Sequence, residues 1–275
     1  MEFHDWEPVY AAILSDMGLD RTADERARDL LADLVSDGDP PGGRASDGGA
    51  GASDAGADGS NSDADASDTS GAAAPDANGV DVRPLEPADL DYSRETVAVV
   101  GAGPSLDNEL DRVDAAESVV AASDAATRLR EAGLAVDCMV TDLDEESDVA
   151  RELTREGTPV VVHAHGDNQP ALRERVPRLA VEYVLPTTQA APIGPIHNTG
   201  GFTDGDRAAF LADHCGAAEL VFAGWDFDDP DVGPIKRRKL VWAERLLRWL
   251  ELRRGERFDV LDGRRNGIDE STLPV

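Results

Sequence analysis

Hydrophobic residues recur with two different periods along this chain, and the change between them marks its organisation. Near the N-terminus the period is helical. Trp6, Val9, Tyr10, Ile13, Leu14 and Met17 share one face, Gly18 and Asp20 punctuate, and Ala27, Leu30, Leu31 and Leu34 form a second stripe. Two amphipathic helices with one apolar stripe each need a surface to pack on, which predicts a small helical annex over residues 1–35 docked onto the rest. From Val80 onward, short continuous apolar runs alternate with helical patterns. Strands are predicted at 96–100, 118–121, 136–140, 159–163, 181–185 and 219–222. Helices are predicted at 104–113, 124–132, 145–156, 169–176, 204–214 and about 235–254. This alternation predicts an α/β fold over 80–275: a three-layer, mostly parallel sheet with helices on both faces, plus the annex. In such sheets ligands bind beyond the carboxyl ends of the strands, so the loops that follow strands should carry the chemistry.

Composition changes the picture at two points. Between 36 and 79 most residues are Gly, Ala, Ser or Asp, and none is Val, Ile, Leu, Met or aromatic. Such a stretch cannot offset an ordering entropy of roughly 1–2 kcal/mol per residue, which predicts a disordered linker. Charge is the second point. The 275 residues carry 56 Asp plus Glu against 26 Lys plus Arg, a net charge of −30. That excess repels polyanions and argues against nucleic acid or an anionic membrane as partner. A carboxylate-rich surface with two lysines in the whole chain reads as that of a halophile protein, because molar salt shortens the Debye length to about 3 Å and screens the repulsion. Cys138 and Cys215 lack metal-type spacing and read as buried free thiols of a reducing compartment. No apolar run reaches the ~18 residues of a membrane span and the N-terminus lacks signal-peptide character, so a soluble, cytoplasmic protein is expected.

The strand ends hold the candidate chemistry. The first predicted strand runs into Gly101-Ala102-Gly103-Pro104-Ser105. Two glycines followed by proline at a helix start suit a phosphate on backbone N–H groups, or a tight turn alone. Leu106 stands where a dinucleotide fingerprint wants a third glycine. The second strand ends at Asp124, suited to ribose hydroxyls or to capping the next helix. After the third come Asp142 and Asp144, two apart, the hard oxygen donors that Mg²⁺ takes together with water and phosphate oxygens; a solvated acidic loop is the other reading. The fourth runs into His163, His165, Asp167 and Asn168, which suit substrate contacts better than zinc for want of a third ligand at conventional spacing. Asp204 opens a later helix, where it can complete a carboxylate set or simply cap. Both lysines, Lys236 and Lys239, flank Arg237 and Arg238 at the start of a long helix, against the macrodipole's preference; a bound polyphosphate would account for them, as would pairing with nearby aspartates.

The series Gly101–Leu106, Thr141-Asp142-Leu143-Asp144, His163–Asn168, Asn198–Ala208 and Gly224-Trp225-Asp226 resembles the archaeal 6-hydroxymethyl-7,8-dihydropterin pyrophosphokinase family, and more distantly the thiamin pyrophosphokinases. The resemblance runs from about Val97 to Leu247. It implies Mg²⁺-dependent transfer of diphosphate from ATP to a reduced pterin, with release of AMP. Asp142, Asp144 and Asp204 would hold the metal and act in catalysis. Gly101, Gly103, Pro104, Ser105, Asp124, Lys236, Arg237 and Lys239 would bind the nucleotide, and His163, His165, Asp167 and Asn168 the pterin. Two further readings stand beside it: a thiamin-type diphosphokinase, and a Rossmann-like NAD(P)-binding oxidoreductase in which Asp142 would hardly matter. A non-catalytic scaffold built on the annex and linker is a third, under which every strand-end carboxylate is replaceable. The residues do not give an oligomeric state, nor choose between folate and methanopterin as the end product.

Overall fold

The computed structural model describes residues 1–36, 83–144 and 148–274. The predicted linker at 36–79 lies outside the described residues apart from Ser36. Two helices, α1 (Phe3–Met17) and α2 (Arg21–Ser36), open the chain, with Gly18 at φ 70° ending the first in a left-handed cap. Then come β1 (Thr96–Val100), α3 (Leu110–Asp114), β2 (Ser118–Ala122), α4 (Asp124–Glu131), β3 (Cys138–Thr141), α5 (Val149–Glu156) and β4 (Val160–Ala164). They are followed by α6 (Gln169–Arg175), β5 (Val184–Thr188), α7 (Asp204–His214), β6 (Glu219–Ala223) and α8 (Pro234–Arg254). Among the described residues no helix is long and apolar enough to cross a membrane.

The six strands form one sheet in the order β5-β4-β3-β2-β1-β6, every neighbour parallel. Strand order reverses between β1 and β6, the switch point where open α/β sheets bind ligands. Because side chains alternate along a strand, β1 feeds two cores at once. Val97 and Val99 join one cluster with Trp6, Phe210 and Trp249, while Ala98 and Val100 join another with Leu31, Leu106 and Leu153. The first core lies under α1, α7 and α8 and the second under α2 to α6, giving three layers. The annex thus divides: α1 docks on one face and α2 on the other. Trp6 seals that docking, 1% exposed, ring centroid 6.4 Å from that of Trp249 and Nε1 donating to the Gln189 carbonyl at 2.9 Å.

Three expectations are corrected. The helix expected at 104–113 is a 3-10 turn, Pro104–Asn108, followed by the short α3, because Ser105 and Glu109 are tied to the loop after β6. The described part of the helix expected at 145–156 starts at Val149. The fifth strand begins three residues later than expected, since Val181–Tyr183 makes a 3-10 turn, and it carries Pro186, tolerated because β5 is an edge strand.

Candidate active site

The carboxyl ends of β1 to β4 and β6, the start of α7, the start of α8 and the turn between α1 and α2 enclose one cleft of about 730 Å³. Its floor is made by residues bent out of regular strands. Ser123 (φ 45°) and Leu143 (φ 61°) follow β2 and β3 in conformations that non-glycine residues seldom adopt, a strain typical of functional sites. The bend after β2 lets Ser123 Oγ donate to Asp204 Oδ2 at 2.6 Å. The bend after β3 sets Asp142 and Asp144 side by side, with the Asp144 N–H donating to Asp142 Oδ1 at 3.1 Å.

Each carboxylate is tuned by its neighbours. Burial works to raise Asp142, yet hydrogen bonds from His165 (Nε2 to Oδ2, 3.3 Å) and from the Asp144 side chain and backbone hold it well below the usual carboxylate range. Desolvation at the cleft, then the shared hydrogen bond and charge of Asp142, push Asp144 up to about 6. Burial on the cleft floor, reinforced by Asp142, pushes Asp204 up to about 7 against the Ser123 hydroxyl. The charge of Asp142 thus acts against ionisation of both Asp144 and Asp204. Among the described residues no three or more His, Cys, Asp or Glu side chains converge as a ready cage. Mg²⁺ needs none, since it takes one or two carboxylates and completes its octahedron from water and substrate phosphates. Lys236, Arg238 and Lys239 on the first turns of α8 line the same cleft, and the charge of Lys239 acts on Asp144.

A family model described as 6-hydroxymethylpterin diphosphokinase MptE-like matches residues 78–232. The chain belongs to this MptE-like family. A protein named 6-hydroxymethyl-7,8-dihydropterin pyrophosphokinase from Methanothermobacter thermautotrophicus is 44% identical over 180 residues, 59% of this chain and 77% of that protein. Its namesake from Pyrococcus furiosus is 33% identical over 267 residues, 91% of this chain and 95% of its own length. One from Methanocaldococcus jannaschii is 27% identical over 274 residues, 91% and 96% respectively.

Against this MptE-like background, the structure sorts the residues expected from sequence. Asp142, Asp144, Asp204, His163, His165, Asp167, Lys236 and Lys239 all line the cleft, as do Gly101 and Gly103. Thr203 and Asp206 supply the capping box of α7, which leaves Asp204 free to face the cleft. Asp124 sits on the exposed side of α4, outside the cleft, because the bend at Ser123 turns that serine inward instead. Arg237 points back to the carbonyls of Pro230 and Val232, while its neighbour Arg238 lines the cleft. Asn168 is a brace: its Nδ2 donates to the carbonyls of Asp142 and His163, both at 2.7 Å, which locks the ends of β3 and β4 together.

The turn after β1 is corrected most. Its N–H groups at Gly101, Gly103 and Ser105 donate to Ala223 O, Gly224 O and Asp226 Oδ2, at 2.9, 2.9 and 2.8 Å. Asp226 therefore occupies the place Pro104 and Ser105 were expected to offer a phosphate. The glycines are required by the loop after β6, since a Cβ on Gly103 would lie 2.3 Å from Asp226 Oδ2. Sequence reasoning also missed Asp24 and Gln189. Asp24 on α2 lines the cleft 3% exposed and accepts Tyr10 Oη, Gln189 Nε2 and the Gly166 N–H at 2.7, 2.7 and 2.8 Å. A signal was present: position 24 falls in register with Ala27, Leu31 and Val35 on the buried stripe, and an acid there needs buried partners.

Proposed function

We propose that this chain is a pterin diphosphokinase that transfers diphosphate from ATP to 6-hydroxymethyl-7,8-dihydropterin with Mg²⁺ as cofactor. The hydroxymethyl oxygen attacks the β-phosphorus, the bond from that phosphorus to the α–β bridging oxygen breaks, and AMP leaves with the bridging oxygen. One observation carries the reading: Asp142 and Asp144 at a strand end, Asp204 at the start of α7, and Lys236, Arg238 and Lys239 at the start of α8 line one cleft. Family membership and the relatives' names supply the pterin.

Bound at the carboxylates, Mg²⁺ supplies positive charge against phosphate oxygens. Asp142, held well below the usual carboxylate range, together with Asp144 and Asp204, would be its ligands. Lys236, Arg238 and Lys239 grip the phosphate chain and neutralise charge as it shifts to the leaving oxygen. His165 donates to Asp142 and keeps that carboxylate aimed. The acceptor lies between the His163–Asp167 loop and the α1–α2 turn, where Met17, Leu19 and Ala23 give the cleft an apolar side. Little covalent work falls to the protein, because in-line alignment and charge neutralisation lower this kind of barrier.

The test is AMP formation from ATP and Mg²⁺ in molar salt, with and without 6-hydroxymethyl-7,8-dihydropterin, in the parent and in Asp142→Asn. Pterin-dependent AMP that falls on the order of 10²-fold or more in the variant is the expected result. ADP in place of AMP, or turnover untouched in Asp142→Asn, would overturn the reading.

A further inference from the structure

His163 is left with one ring nitrogen held and the other without a partner. β4 carries it to the cleft wall, where its side chain is 2% exposed. From α7 comes Arg207, wholly buried, with Nη2 3.0 Å from His163 Nε2. A guanidinium has donors and no acceptor, so Nε2 is the accepting nitrogen and the ring of a neutral His163 carries its proton on Nδ1. Arg207 has no freedom to turn away. The same Nη2 donates to Gly201 O at 2.6 Å and Nη1 to Gly200 O at 3.3 Å, and a Cβ on Gly201 would lie 2.4 Å from Arg207 Cα.

The groups facing the ring keep it neutral. Burial acts first, then Arg207, with His165 stacked 5.7 Å away and Lys239 adding positive charge; Gln189 alone favours protonation. Gln189 donates through Nε2 to Asp24, which leaves its amide oxygen as the neighbour that favours a ring proton, and buried Nδ1 of His163 makes no hydrogen bond of ordinary length among the described residues. A buried donor left unmade costs about 1–3 kcal/mol, which an acceptor atom reaching Nδ1 from the cleft that His163 lines would recover.

Resting on the function proposed above, we propose that His163 is a fixed neutral donor to the acceptor edge of the reduced pterin, and that Arg207 is the positioning residue that sets its tautomer. That edge, carbonyl O4 and imine N5, adjoins the ring carbon that bears the hydroxymethyl group. A donor held there fixes the rotation of the ring and so the approach of the hydroxyl oxygen to phosphorus. It follows that His163 does not take the hydroxyl proton, since its basic nitrogen is already capped by Arg207.

Two experiments test this. In the ligand-free full chain, nitrogen NMR of the His163 ring should show Nδ1 protonated and Nε2 bare, unchanged between about pH 6 and 8. An Nε2–H ring, or one that titrates in that range, would overturn the tautomer. In kinetics, His163→Asn places an amide nitrogen near the position of Nδ1 and His163→Gln places one near Nε2. The Asn variant should keep KM for the pterin near the parent value, while the Gln variant raises it about tenfold, the worth of a neutral hydrogen bond, with KM for ATP unchanged. Equal losses in both variants, or a loss confined to kcat, would overturn the donor role. A parent that forms no AMP with the pterin overturns the function and the ligand named here, and is told apart because the ring shifts are read without substrate.

Discussion

Replacing Asp204 by Asn should make the metal-free protein more stable and the enzyme inactive. In an unfolded chain an Asp ionises near 3.9, whereas in the fold burial and the Asp142 charge raise Asp204 to about 7. Between those values the native chain holds a proton that the unfolded chain has released, so the unfolding free energy falls as pH rises from about 4 to about 7. The penalty is absent below about pH 4 and fully present above about pH 7. About three units at ~1.4 kcal/mol each set a ceiling of about 4 kcal/mol. Asp204 keeps some solvent contact through the cleft, which brings the expected penalty at pH 8 to on the order of 1–2 kcal/mol. Asn has nearly the same shape, offers an oxygen to the Ser123 hydroxyl, and carries no charge. Urea unfolding in chelator at fixed salt should therefore place Asp204→Asn above the parent at pH 8, with the gap reduced to about a third at pH 5. Adding Mg²⁺ should stabilise the parent more than the variant. A variant less stable than the parent at pH 8, or a gap that ignores pH, would show that Asp204 is not held against its own charge.

Three further outcomes are expected. Gly103→Ala forces a Cβ to within 2.3 Å of Asp226 Oδ2 and 2.7 Å of Gly224 O, and should lower stability by about 1–3 kcal/mol in denaturant titration. Trp6→Ala removes a fully buried ring that stacks on Trp249 and donates to Gln189; it should cost about 3–5 kcal/mol and, by loosening the strand end that carries Gln189, raise KM for the pterin more than KM for ATP. Lys239→Met should raise KM for ATP about tenfold or more, and should raise the pH at which Mg²⁺ binding is half lost, because Lys239 favours the ionised form of Asp144.

The fold was legible because burial on both faces writes strands as unbroken apolar runs, and 96–100 and 204–214 match their elements residue for residue. Boundaries slipped where a distant contact decided them. Nothing between Pro104 and Val113 announces that Ser105 will bond Asp226 or that Glu109 will accept the Gly224 N–H, yet those two bonds stop a helix from running through. The site followed the same division. Acids at strand ends were readable from position alone, since the sheet's carboxyl edge is set by the strand pattern. Direction was not. Ser123 and Asp124 are adjacent, and which of them faces the cleft depends on a positive φ that sequence does not betray at a serine. The same holds for Arg237 and Arg238, which differ by about 100° around α8.

The glycine turn and the annex together change how this MptE-like cleft is understood. A Gly-x-Gly-Pro turn after the first strand invites a phosphate, but here its N–H groups at Gly101, Gly103 and Ser105 are taken by Ala223, Gly224 and the Asp226 carboxylate. On the proposed function the phosphate contacts fall to side-chain cations, and both lysines of the chain stand at one helix start. Those cations line one cleft with the three aspartates and with the annex, whose Asp24 ties α2 to Gln189 and Gly166 through buried hydrogen bonds. Arg207 is surrounded by the charges of Asp206, Asp204, Asp142 and Asp24, which offset its burial and leave it a firm cation at neutral pH although it is lowered to about 10. One guanidinium therefore sits behind both halves of the cleft. On the proposed function it balances the carboxylates that would hold the metal and fixes the His163 ring that would meet the pterin, so its replacement should disturb both substrates where replacement of His163 disturbs one.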